Sequence, residues 1–239
     1  MNERYVHLTQ RLSAALELIG SSKTVADIGC DHGRLCAALL QSDPERTVVA
    51  TDISEESLRK AQDLLNHIGV VDRVSFRVGD GLQVLKNGEC DTIAMLGMGG
   101  TLMVRILEAC AVPLCGARTF VVQPMRAQAE IRSYLHKYGF RITDDRIVRE
   151  GQRLYQILRA EPDACIQAVP NGWPGSFYDI GFVTLEQKDP LLPELIDRQL
   201  WQHQKRLATA LGTDGEQKLR RKIEALESIR SLWENRSIL

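Results

Sequence analysis

Thr24-Val25-Ala26-Asp27-Ile28-Gly29-Cys30-Asp31-His32-Gly33 runs directly into Arg34-Leu35-Cys36-Ala37-Ala38-Leu39-Leu40. A short apolar run, a glycine-containing turn and a helix-period apolar run form the strand–turn–helix corner where open α/β sheets bind their ligands. A dinucleotide corner carries three glycines as G-x-G-x-x-G, because backbone must press against a pyrophosphate. Here only Gly29 and Gly33 stand, with Asp27 and Asp31 interleaved. Carboxylates repel phosphate and attract cations. S-adenosylmethionine carries a sulfonium, an ammonium and no phosphate, so the corner argues for that methyl donor over NAD.

Outward from the corner, strand and helix patterns alternate. Leu8, Leu12, Ala15, Leu16 and Ile19 recur at helical spacing and stop at Gly20, which predicts a lead helix. Strands are predicted at Thr24–Ile28, Val48–Thr51, Val74–Val78, Asp91–Leu96 and Thr119–Val122, with Phe140–Val148 and Leu154–Leu158 as a closing hairpin. Ser54 is placed to cap a helix whose stripe is Leu58, Ala61, Leu65 and Ile68. Helices are also expected over Thr101–Ala109 and Gln128–Lys137. The fold class is therefore α/β, a mainly parallel, doubly wound, Rossmann-like sheet. Pro162–Ser176 reads as a surface loop. Further on, Ile196, Leu200, His203, Leu207 and Leu211 share one face, and Leu219, Ile223, Leu226, Ile229 and Trp233 another. They predict an antiparallel helical hairpin, with His203 a packed polar residue in its seam. The expected organisation is a catalytic domain over 1–161, a linker over 162–189 and a hairpin over 190–239.

Ligands of such sheets lie beyond the carboxyl ends of the strands. Those ends carry Asp27, Gly29, Asp31 and His32; Asp52 and Ile53; Asp80 and Gly81; and Gly97, Met98, Gly99 and Gly100. Asp52 follows Gly29 at about the ~20-residue offset from which a carboxylate takes a ribose diol, and Asp80 is placed to accept from an adenine amino group. The donor-binding candidates are Asp27, Gly29, Cys30, Asp31, His32, Asp52, Ile53, Asp80, Gly81 and Gly97. Asp and Gly also end strands simply as turn formers, and the ordered set is what favours a site.

The 239 residues are 44% hydrophobic. No apolar run reaches the ~18 residues of a membrane span, and Met1–Tyr5 lacks a signal-peptide pattern. A cytoplasmic protein with free thiols is expected. No C-x-x-C occurs among the six cysteines, Cys110 and Cys115 being the nearest pair, so no metal is expected. Nothing in the sequence calls for an obligate protein partner. The net charge of −1 hides an asymmetry: residues 24–100 hold twelve acidic and seven basic side chains, and residues 118–160 four acidic and nine basic. Eight of those nine are arginines, which suit planar phosphate recognition. They read either as a solvated face or as a polyanion contact, to which Arg126, Arg132 and Arg149 would contribute.

Asp27-Ile28-Gly29-Cys30-Asp31-His32, Gly79-Asp80-Gly81-Leu82, Gly97-Met98-Gly99-Gly100 and Gln123-Pro124 together resemble the bacterial tRNA (adenine-22, N1)-methyltransferases. Gln10-Arg11-Leu12 and Gln187-Lys188-Asp189-Pro190-Leu191 extend the likeness over nearly the whole chain. The resemblance implies a class I methyltransferase with a helical tail, S-adenosylmethionine as donor and tRNA as partner. The sequence departs from the family pattern at Gly33-Arg34-Leu35-Cys36, where Ala-Tyr-Leu-Pro is usual, and at Met125, where Asn often stands.

The chain has no Pro-Pro turn of the kind that accompanies methylation of exocyclic base amines, and no Pro-Cys nucleophile. A ring nitrogen needs neither, because adenine N1 already carries an in-plane lone pair and needs mainly alignment. Asp31 is the candidate for stabilising the cationic product, His32 for positioning, Gly97 for admitting the base and Met98 for lying against it. The alternatives are another RNA or a small molecule as acceptor, or a non-catalytic RNA-binding module on the same fold.

Overall fold

The computed structural model describes residues 6–110, 116–163, 177–212 and 214–234. Seven strands, β1 (Thr24–Ile28), β2 (Thr47–Asp52), β3 (Val74–Val78), β4 (Thr92–Met98), β5 (Thr119–Pro124), β6 (Phe140–Glu150) and β7 (Arg153–Pro162), form one sheet in the order β3-β2-β1-β4-β5-β7-β6. The first five are parallel, and β7 inserts antiparallel between β5 and β6. The predicted strands are all present, most of them a residue or more longer than expected. Alternation along each strand divides the core between the sheet's two faces. Val25, Ala94 and Val121 pack with α1 (Gln10–Ile19), α2 (Arg34–Ser42) and α3 (Glu55–Ile68). Ala26, Ile93, Met95, Phe120 and Val122 pack with α4 (Gly100–Glu108) and α5 (Gln128–Lys137).

The expected stops and caps are in place. Gly20 ends α1 at φ 63°, and the Ser54 hydroxyl accepts the Ser57 N–H at the start of α3.

The expected linker differs where it is described. Most of Pro162–Ser176 lies outside the described residues, as do Met1–Tyr5 and Cys115. Residues 177–186, however, fold into α6 (Phe177–Ile180) and α7 (Phe182–Glu186), with Phe177 and Ile180 buried. Helices of four and five residues are too short to show a hydrophobic period. They join Ile147 of β6 to α8 (Leu192–Ala210) and α9 (Asp214–Glu234) in a third apolar cluster. The last two helices pair antiparallel, with Arg230 2.9 Å from Asp197, and His203 is half-buried in their seam.

The arginine-rich stretch is largely not the open basic face allowed for above. Arg132 is wholly buried, held by both carboxylate oxygens of Asp145 at 2.9 and 2.8 Å and by Gln156 Oε1 at 2.6 Å. Arg149 pairs with Glu194, Arg146 with Asp144 and Glu17, Arg159 with Glu161 and Arg141 with Asp163. Glu194 and Glu17 come from helices outside the stretch, so a local charge count overstates its free positive charge. Arg118, Arg126, Lys137 and Arg153 remain exposed.

Candidate active site

Beyond the carboxyl ends of β1 and β4 lies a cavity of about 550 Å³. Asp27, Gly29, Cys30, Asp31 and His32 line one side, Leu96, Gly97 and Met125 another, and Thr9, Arg11, Leu12, Arg34 and Leu35 complete it.

The first wall is a tight turn. Gly29 and Cys30 donate their N–H groups to the Thr51 carbonyl at 2.8 and 2.9 Å, which ties the turn to β2. Gly29 has φ 73°, Asp31 φ 49° and Gly33 φ 70°, so the chain reverses through three left-handed residues. Only glycine takes such angles without steric cost, and Asp is among the more tolerant of the others. At Gly33 the space is also closed, because a Cβ there would lie 2.8 Å from the Ala61 Cβ. This glycine lets the start of α2 sit against α3.

Asp27 is 3% exposed and accepts the Cys36 thiol hydrogen at 3.1 Å. Burial raises its pKa to about 6; the thiol bond works against that rise, while the charges of Asp52 and Asp31 add to it. The Cys36 thiol is itself pushed up, by its bond to Cys30 and by burial. Asp31 and His32 are exposed and face each other, Nδ1 to Oδ2 at 2.7 Å. Asp52 is held from two sides, its Oδ2 accepting from the Asp31 N–H at 3.2 Å and its Oδ1 from the Ser54 N–H at 2.8 Å. The carboxylate expected for a ribose diol is thereby fixed beside the turn, just outside the cavity lining.

The opposite wall is a bulge. The β4–β5 register shifts between Leu96 and Met98, leaving Gly97 out of the ladder at φ 77°. The Gly97 N–H goes instead to Oε1 of the fully buried Gln123, at 3.1 Å. A Cβ on Gly97 would approach no atom closer than 3.8 Å, so the space its side chain would fill belongs to the cavity. Met98 does not line the cavity; it packs against the core of the α4 face, and its Cε reaches within 3.0 Å of where a Gly29 Cβ would stand. Gly100 touches the Ala127 backbone so closely that no side chain fits.

The sequence-expected residues thus divide. Asp27, Gly29, Cys30, Asp31, His32 and Gly97 meet around one cavity, and Asp52 joins them through its bond to Asp31. Ile53, Asp80 and Gly81 stand at neighbouring strand ends, Ile53 75% exposed and Gly81 buried against Ile106, without lining it. Sequence reasoning missed Arg11 and Gln123 as site residues, although both sit in stretches that carry the family likeness. No group of residues suited to hold a metal occurs among the described residues, nor any helix long and apolar enough to cross a membrane.

An open sheet with this strand order, an antiparallel β7 and an acidic, glycine-lined cavity beyond β1 and β4 defines a class I methyltransferase. The family model for the methyltransferase domain matches residues 8–158. A curated relative, the tRNA (adenine(22)-N(1))-methyltransferase of Bacillus subtilis, is 34% identical over 161 residues, covering 67% of each chain. The crystal structure of the Bacillus subtilis tRNA methyltransferase TrmK superposes with TM-score 0.84 at 27% identity, over 94% of this chain and 99% of that one. TrmK of M. capricolum, in complex with S-adenosylhomocysteine, has TM-score 0.79 at 18% identity over 95% and 98%, a likeness of fold. Within the class, the chain belongs to the tRNA (adenine(22)-N(1))-methyltransferase family.

Proposed function

We propose that this protein transfers the methyl group of S-adenosylmethionine to N1 of adenosine 22 in tRNA, in the cytoplasm. The observation that carries the reading is the two-walled cavity, with carboxylates on one side and an open glycine bulge on the other. Family membership adds the acceptor, since the Bacillus subtilis relative is named for that reaction.

The residues present suit the donor. Asp27 and Asp31 place negative charge where a cationic ligand would sit, and Asp52 stands fixed at the end of β2 to accept from a ribose diol. Gly29, at φ 73° and with Met98 Cε 3.0 Å from where its Cβ would stand, lets the turn close against the cavity without a side chain. When bound, S-adenosylmethionine supplies an electrophilic methyl on a positively charged sulfur.

Adenine N1 lies on the pairing edge, so the base has to leave its stack to reach the cavity. Gly97 admits the flat ring against backbone, and Leu96 and Met125 give it apolar contact and exclude water. Asp31 lies on the facing wall, where its carboxylate stabilises the charge that develops on the methylated ring. His32, bonded to Asp31, fixes that carboxylate's direction. Arg34 at the lining and exposed Arg126, whose Nε lies 3.2 Å from a would-be Gly99 Cβ, take RNA phosphates at the mouth. In this reading residues 1–161 are the catalytic unit and 190–239 an accessory hairpin that offers exposed Lys218 and Arg221 to the same RNA.

The test is incubation with labelled donor and unmodified total bacterial tRNA, followed by mapping of the methyl. Label at N1 of adenosine 22 is expected. Label on another RNA, on a small molecule or nowhere would overturn the assignment.

A further inference from the structure

The structure assigns a positioning role to Arg11, on the opening helix α1, for the methyl-transfer step. The inference rests on the reading that the accepting base lies at Gly97, and it concerns what holds that glycine in place.

The Gly97 N–H has left the sheet ladder and depends on a single side-chain acceptor, Gln123 Oε1. A carboxamide works there only in one orientation, since turning it over would point its NH₂ at the Gly97 N–H. Arg11 Nη1 fixes that orientation by donating to the same oxygen at 2.8 Å from 112 positions away in the chain. Among the described residues the amide's other end meets the Met125 thioether alone, 3.5 Å from Nε2, a weak acceptor that cannot fix it. A charged donor is about twice as strong as a neutral one, so Arg11 decides which way Gln123 faces.

The guanidinium is in turn held. Its carbon lies 4.9 Å over the centre of the Tyr155 ring, and Nε is 3.7 Å from Glu150 Oε2. Neither Nε nor Oε2 has a hydrogen-bond partner among the described residues, and the pair supplies charge balance without directing the group elsewhere. Arg11 also lines the cavity, its Nη1 lying 3.8 Å from where a Gly97 Cβ would be. Helix α1, the bulge of β4, the end of β5 and the β6–β7 hairpin therefore meet in one chain of contacts: Tyr155, Arg11, Gln123, Gly97.

Four variants, read by kinetics, donor binding and amide exchange, test this. Arg11→Ala should lower kcat for tRNA at least ten-fold, while KM and the dissociation constant for S-adenosylmethionine move less than three-fold. Gln123→Leu should do the same, and the double variant should be no slower than the worse single one, because both remove one device. Gln123→Glu, which has two equivalent oxygens and keeps the bond to Arg11, should retain kcat and guards against a fold lost through Gln123→Leu. Independently of activity, amide hydrogen exchange at Gly97 should accelerate in Arg11→Ala and not in Gln123→Glu, with Cys30 as an unaffected reference. Unchanged kcat in folded Arg11→Ala, additive losses in the double variant, or unchanged Gly97 exchange would each overturn the assignment. If the wild-type protein methylates no tRNA, the proposed function fails, and the exchange measurement alone still decides the role of Arg11.

Discussion

Burial changes the acid chemistry of Asp27 at the cavity wall. The unfolded chain releases this proton near 3.8 and the folded protein near 6. Between those values the folded state binds more protons, so the contribution of Asp27 to stability falls as pH rises through the window and stays unfavourable above it. Asp27→Asn should therefore stabilise the ligand-free protein at pH 7–8, by on the order of 1–3 kcal/mol, and flatten its melting temperature between pH 4 and 6. The same proton competes with a cationic ligand. Calorimetric affinity for S-adenosylmethionine should weaken by up to about ten-fold per pH unit below 6 in the wild type and lose that dependence in Asp27→Asn; equal pH profiles would separate Asp27 from the donor site. Asp52 is the complementary case. Asp52→Asn keeps an acceptor for Ser54 N–H but loses the second charged oxygen, and should weaken donor binding by roughly 1–3 kcal/mol. Unchanged affinity would remove Asp52 from the ribose contact.

Turns between elements constrain this protein more than the strands do. Gly33 combines a φ of 70° with a would-be Cβ 2.8 Å from Ala61. Gly33→Val should cost on the order of 2–4 kcal/mol in a denaturant titration. Combining Gly33→Ala with Ala61→Gly should recover only the steric part, because the backbone strain stays. The turn was legible in the sequence because glycine, Asp and a cap leave local marks, as at Gly20, Ser54 and Gly33. Strands β1 and β3 were legible to the residue, since apolar runs bounded by turn formers carry their own ends. The bulge at Gly97 was legible as a glycine cluster and not as a bulge, because register is fixed by the neighbouring strand. Helices α6 and α7 were hidden by their length. Arg11 and Gln123 were hidden as a site because they lie 112 positions apart and meet only when α1 packs across β5.

For the whole molecule, the informative failure was the arginine stretch. Composition reports how many charges a segment holds, and only folding tells which of them meet Glu17, Asp145 or Glu194. Arg132 is the clearest instance, joining α5, β6, β7 and the carbonyl of Tyr178 in α6. Arg132→Met leaves Asp145 buried without its cation, and should cost about 3–5 kcal/mol. Burial already raises the pKa of Asp145, against the opposing pull of Arg132. The variant should therefore regain stability as pH falls, when that carboxyl takes a proton; thermal melts across pH 5–8 decide it. In the proposed function, RNA phosphates fall to the exposed cations. Replacing Arg126, Lys218 and Arg221 together by Ala should weaken tRNA binding and reduce the slope of log affinity against log salt by up to about one for each phosphate no longer neutralised. Donor affinity should not change, and an unaltered salt slope would move the RNA path off this mouth.

The insertion of β7 between β5 and β6 also sets an order for biosynthesis. A chain leaving the ribosome presents β1 to β5 first, and every residue named for the cavity precedes position 126. The outer edge of β5, with Phe120, Val121 and Val122 wholly buried in the finished sheet, finds its neighbour only when Phe120, Val121 and Val122 pair with Ala160, Arg159 and Leu158. Until residues 158–160 have emerged, the nascent protein carries its ligand pocket alongside an open, apolar sheet edge of the kind that templates aggregation. Translation speed over the codons for residues 125–162 thus sets how long that edge stays open, and synonymous changes there would act on yield while leaving the finished protein the same.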